Sequence, residues 1–121
     1  MAFGYHLMID MYDCKGEALP SISLTYEFLE KLAEVLKMTK QSPPFLFRSD
    51  RKAFPDKAGL SGWLPLIESG IQIHTIEAVR FVSLDVYSCR MFDKATILDF
   101  ASETFKPSEV EHEFIHRGKK Y

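Results

Sequence analysis

Between Ser61 and Cys89 the chain packs three strand-like runs into one short stretch, and this constrains the fold more than any other feature. The runs are Ser61–Glu68, Gly70–Ile76 and Val79–Cys89. In the third, Val82, Leu84 and Val86 alternate with Phe81, Ser83, Asp85, Tyr87 and Cys89, the two-residue period of a half-buried strand. Connections this short leave no room for a crossover helix, so neighbouring runs must pair antiparallel. The first turn is expected at Ser69-Gly70. Pro65 inside the first run predicts an edge strand or a bulge.

The rest of the chain adds to this sheet. Gly4–Cys14 alternates with Tyr5, Leu7, Ile9 and Met11 on one face and His6, Met8, Asp10 and Tyr12 on the other. Lys15–Ser21 holds Gly16 and Pro20 and reads as a loop. A helix follows over Ser23–Lys40, with Leu24, Phe28, Leu32, Val35 and Leu36 as its apolar stripe and Ser21 or Ser23 as its cap. Ser42–Pro44 ends it. Phe45–Asp50 is a short strand, and Arg51–Gly59 a polar loop of the kind that borders sites. Asp93–Phe105 is a second helix, capped by Asp93 and lined by Ile97, Phe100, Ala101 and Phe105. Glu109–Arg117 is a last strand. The order β-α-β-β-β-β-α-β predicts an α+β domain, an antiparallel sheet with both helices packed on one face. The other face then needs a cover, and a homodimer stacking two sheets as αββα supplies one.

With 121 residues the chain is long enough for one domain, and 46% apolar and 13% aromatic residues suit a folded core. A net charge of −2, with basic residues scattered among acids, excludes a general nucleic-acid or anionic-membrane binder. No apolar run approaches the roughly 20 residues of a membrane span, and no signal peptide is evident, so a cytoplasmic setting is expected. Cys14 and Cys89 are too few for a disulfide framework and read singly as structural. His112 and His116 share a strand face without further ligands nearby, so no metal site is expected. Taken one at a time, Ser69 lacks a nucleophile-elbow context and His74 is a lone strand histidine.

Their combination is more specific. The segment "LSGWLPLIESGIQIHTIEAVRFVSLDVYSC" resembles the core of the bacterial and archaeal S-adenosylmethionine decarboxylases: a Ser-Gly, an apolar strand, Glu-Ser, Ile-His-Thr, and a strand ending near Asp-x-(aromatic)-x-Cys. "GYHLMIDMYDC" resembles the family's first strand and "FKPSEVEHEFIHRG" its last helix, strand and Arg-Gly. The resemblance spans nearly the whole chain.

It implies a proenzyme that cuts itself between Glu68 and Ser69, giving a β chain of residues 1–68 and an α chain of 69–121 whose first residue becomes a pyruvoyl group. That group would hold an amine substrate as a Schiff base while CO2 leaves. Cys89 would be the acid that protonates the product carbon, and His74 and Ser61 would assist processing. Phe54 is the candidate for stacking on an adenine ring, and Glu68 would also border the substrate. The chain departs from the family pattern in four places. Gly70 stands where a His usually follows the serine, and Ile76-Glu77-Ala78 stands for Trp-Pro-Glu. Arg90 stands for the Gly after the cysteine, adding a charge near the site, and Pro65 interrupts an aliphatic strand. The substrate implied is S-adenosylmethionine, in polyamine synthesis. The alternatives are a basic amino acid, arginine or ornithine, or a non-catalytic relative.

Overall fold

Alternating apolar residues place their strands as the pattern requires. The computed structural model describes residues 2–121. Its elements are β1 (Gly4–Tyr12), α1 (Ile22–Val35), β2 (Phe45–Arg48), β3 (Leu60–Leu66), β4 (Ser69–Ile76), β5 (Phe81–Ser88), α2 (Lys94–Phe105) and β6 (Glu109–Arg117). The strands form one antiparallel sheet in the order β2-β3-β4-β5-β1-β6.

Register aligns the apolar faces into rows. Leu64 opposes Ile71, Ile71 opposes Val86, Val86 opposes Leu7, and Leu7 opposes Phe114. Both helices lie over this face, and Phe28, Leu29, Leu32, Ile97, Ala101 and Phe105 close the core. Phe28 stacks on Phe100 at 5.3 Å and meets Phe105 edge-on at 5.0 Å. Ser21 caps α1 and Asp93 caps α2, each accepting a backbone N–H of the first turn.

The α1 stripe differs from its expected course. Leu24 and Val35 are 41% and 43% exposed, and the buried residues are Thr25, Phe28, Leu29, Leu32 and Ala33. At 100° per residue Leu24 and Val35 sit roughly 100° around the helix from the middle of that set. The helix also stops five residues short of Lys40, because Lys37 turns left-handed (φ 56°) and closes it.

β3 is not an edge strand. β2 pairs only with Leu60–Trp63, so Pro65 lies beyond its end and its missing N–H leaves no partner unsatisfied. The Pro65 carbonyl instead accepts the Gln41 N–H at 3.0 Å.

The second face of the sheet has no helix over it. It presents Phe45, Phe47, Trp63 and Ile115, all between 41% and 68% exposed, together with the polar alternates of β1, β4 and β5.

Candidate active site at the β3–β4 hairpin

Two residues, Ile67 and Glu68, make the hairpin turn, since Leu66 already opposes Ser69. The turn therefore precedes Ser69 rather than containing Ser69-Gly70. Tight two-residue hairpins favour turns with positive φ at their central residues. Here neither Ile67 nor Glu68 has it, and the positive φ falls on Ser69, at 154°. That region is close to glycine-only, and a side chain there costs on the order of 1–3 kcal/mol. The strain sits on the residue that follows the Glu68 carbonyl.

That carbonyl is gripped. The Cys89 N–H donates to it at 2.8 Å, so a backbone dipole already points at the oxygen where negative charge would develop on attack at the Glu68 carbon. The Glu68 side chain is held as well: Oε1 accepts the Thr39 N–H at 3.0 Å. Ile67 N–H donates to the Thr39 carbonyl at 2.9 Å. The hairpin turn is thus fixed between the end of β5 and the segment following α1.

Cys89 is exposed, and its neighbour Ser88 is fully buried opposite Ser69. The Arg90 guanidinium is engaged beside this turn: its Nη2 donates to the Leu36 and Lys37 carbonyls at 3.0 and 2.6 Å, just past the C-terminal end of α1. Cys14 is the inert thiol: burial pushes it up to about 11.

Ser61 and His74 oppose each other directly across β3 and β4, on the open face. They lie five residues along β4 from Ser69, about 17 Å at the rise of an extended strand. Phe54, 58% exposed, belongs to the loop that leaves the same end of β3. The fold therefore gathers the predicted residues into two groups: Glu68, Ser69 and Cys89 at one end, Ser61 and His74 at the other, with the Phe54 loop beside the second.

Ser69 also borders an open-face cavity of about 480 Å³ with Trp63, Gln72, His6, Asp85 and Tyr87 among its walls. His6 Nε2 lies 3.0 Å from Asp85 Oδ1, and the Arg117 guanidinium sits 4.2 Å over the Tyr87 ring. A groove of similar size, about 510 Å³, runs between α1 and α2 on the opposite side, far from Ser69. The polar residues of the open-face cavity were visible only as the non-core alternates of β1 and β5. Nothing in their spacing singles them out.

Glu77 is committed elsewhere. Its side chain, 12% exposed, receives Arg48 Nη1 at 2.5 Å and is paired with Arg51. Arg48 also donates to the Pro20 carbonyl at 2.6 Å. Burial raises the Glu77 carboxyl, but the hydrogen bonds from Arg51 and Arg48 outweigh it and hold the group below its usual value of 4.5. A carboxyl lowered in the fold adds stability that is complete above its unfolded value and fades as pH falls through the folded one. Comparing wild type with Glu77→Gln in urea melts should therefore show a gap that is constant near pH 7 and shrinks below about pH 4.5. A gap independent of pH would show that the pair contributes through packing alone.

The family model for S-adenosylmethionine decarboxylase matches residues 5–118. A Clostridium botulinum (strain Loch Maree / Type A3) protein named S-adenosylmethionine decarboxylase proenzyme is 34% identical over 119 residues, spanning 96% of this chain and 95% of that one. An Archaeoglobus fulgidus protein of the same name is 25% identical over 98% of this chain and 100% of its own. The crystal structure of the adenosylmethionine decarboxylase from Aquifex aeolicus superposes with a TM-score of 0.81 at 24% identity, covering 97% of this chain and 92% of that one, which agrees with the α+β sheet and its two helices. The chain belongs to the S-adenosylmethionine decarboxylase family.

Proposed function

We propose that this chain is a self-processing decarboxylase that makes a pyruvoyl group from Ser69 and acts on S-adenosylmethionine, feeding polyamine (spermidine) synthesis. The observation that carries it is the conjunction at the hairpin: a strained serine backbone directly after a carbonyl that the Cys89 N–H already polarises. These are the demands of the first step. Ser69 Oγ attacks the Glu68 carbon, the C–N bond breaks, and an ester replaces the amide. Loss of the Ser69 Cα proton then expels the Glu68 carboxylate from Cβ. Hydrolysis of the resulting enamine, through its imine, releases ammonia and leaves the pyruvoyl group on residue 69. Every atom comes from the chain and water, and no oxidant is needed. When formed, that group supplies the electron sink a decarboxylation requires. Cys89 Sγ delivers the proton to the carbon that has lost CO2.

Ser61 and His74 serve processing from a second copy. In one chain they are too far from Ser69 to touch it. They share the uncovered face, however. An axis lying between two stacked sheets and across their strands sets the His74 end of one against the Ser69 end of the other. The exposed Phe45, Phe47 and Trp63 suit such burial. The same pairing carries the Phe54 loop toward the partner's Ser69.

A second reading keeps the chemistry and changes the substrate to arginine or ornithine. It is favoured by one observation: in Ile76-Glu77-Ala78, which stands where the family pattern has Trp-Pro-Glu, the one acid, Glu77, is held by Arg48 and Arg51 and is not free to grip ribose hydroxyls. Measuring CO2 release from S-adenosylmethionine, arginine and ornithine side by side decides between them. We expect S-adenosylmethionine to turn over fastest. Release from an amino acid alone would overturn the substrate and leave the processing chemistry standing.

A further inference from the structure

One corner of the fold holds both sides of the scissile turn. At the end of α1, Lys37 takes the left-handed conformation, its N–H donating to Glu34 O and that of Met38 to Ala33 O, both at 3.0 Å. This closure still leaves the Leu36 and Lys37 carbonyls pointing outward at the negative end of the helix. The last turn of α1, Leu32-Ala33-Glu34-Val35, offers no cation of its own. Arg90 supplies one from across the structure, with one nitrogen on both carbonyls. Two residues further on, Thr39 takes the Glu68 carboxylate and the Ile67 N–H.

Arg90 is also fixed at its own backbone. Its N–H donates to Ser88 Oγ at 2.9 Å, bracketing Cys89 between a fully buried serine and an anchored arginine. Cys89 is the residue whose N–H holds the Glu68 carbonyl. Donor and acceptor of that bond are therefore both referenced to Leu36–Thr39, the donor through Arg90 and the acceptor through Glu68 Oε1.

We infer that Arg90 is a positioning residue for self-cleavage: by anchoring to the Leu36 and Lys37 carbonyls it sets the Cys89 N–H on the Glu68 carbonyl. It touches neither the scissile bond nor the substrate, and acts through the Cys89 backbone. The inference rests on the self-processing reading of the hairpin. A lysine ammonium can offer N–H donors to both carbonyls, but on a flexible stem that holds the backbone less firmly than a planar guanidinium.

The test follows precursor conversion in cell-free translation, by gel and intact mass, for wild type, Arg90→Ala, Arg90→Lys and Thr25→Val. Thr25 is the control: its buried hydroxyl donates to Ala18 O at 2.7 Å at the other end of α1, so its loss weakens the fold without touching the corner. Misplacing a reacting group by about 1 Å costs roughly 100-fold. We expect Arg90→Ala to cleave about 10- to 100-fold more slowly, Arg90→Lys to fall between it and wild type, and Thr25→Val to keep the wild-type rate at its own folded fraction. Folded fraction is measured by urea titration for each. Arg90→Ala cleaving like wild type would overturn the inference, as would Arg90→Ala and Thr25→Val slowing in parallel with their unfolding midpoints. Should Arg90→Ala not fold, Arg90→Met, which keeps the aliphatic stem without the donors, cleaving at the wild-type rate overturns it equally. An uncleaved wild-type chain would instead overturn the self-processing reading itself.

Discussion

Intact mass of the wild-type chain should give two fragments, 1–68 and 69–121, the second without a free amine at its start; Ser69→Ala should give one uncut chain. The argument is local. Cleavage needs the Ser69 hydroxyl as nucleophile, and alanine removes that oxygen while keeping the backbone. The loss should be complete within detection, because no other hydroxyl lies on residue 68 or 70. Ser69→Gly gives a second, independent readout. It too should remain uncut, yet it relieves the strained φ of 154°. Relief of on the order of 1–3 kcal/mol, less the entropy that glycine gives up on folding, leaves Ser69→Gly about 1 kcal/mol more stable than Ser69→Ala in urea melts. If Ser69→Ala were cut, the site of chemistry would lie elsewhere. If Ser69→Gly were the less stable of the two, the backbone would carry no strain to drive the shift.

The cut should not release the halves. β1, β2 and β3 belong to 1–68 and β4, β5 and β6 to 69–121, yet the sheet order β2-β3-β4-β5-β1-β6 interleaves them. Three strand seams, β3/β4, β5/β1 and β1/β6, cross between fragments. The fragments are expected to co-elute in native buffer and to separate only in denaturant.

How far the residues foretold this follows from what each signal measures. Alternation in Gly4–Cys14 and Val79–Cys89 located β1 and β5, because one buried face imposes a period of two. The α1 stripe came out rotated, since Leu24 and Val35 are as apolar as Leu29 and Ala33 and only tertiary packing separates them. The turn falls two residues earlier than the Ser69-Gly70 pair predicts. Ser-Gly is the commoner turn pair, but the register of Leu66 against Ser69 puts Ile67-Glu68 in the turn and the strain on the serine. The Arg90 contact was out of reach. It joins residues more than 50 positions apart through backbone carbonyls, and carbonyls leave no mark in a sequence. Ser61, His74 and Cys89 stand out only through a resemblance to the family. Spacing alone did not say that the first two sit at the far end of β4 from Ser69.

That separation yields the second large effect. Alone, His74→Ala and Ser69→Ala are each expected to stay uncut, the first for want of an assisting imidazole and the second for want of a nucleophile. Co-expressed, they should complement in one direction only. A mixed dimer sets Ser69 of the His74→Ala chain against an intact His74 on the Ser69→Ala chain. The reverse pairing has neither group. Random assembly of equal amounts places about half of the His74→Ala chains in mixed dimers, so about half of them should be cut, while the Ser69→Ala chains remain whole. Distinct affinity tags and intact mass tell the chains apart. The geometry leaves little latitude: a gap of about 17 Å along an extended strand is beyond the reach of an imidazole within one chain. If the mixture shows no cut His74→Ala chain although mixed dimers are recovered by tandem purification, His74 does not act across the open face, and the stacking of two sheets loses its functional argument.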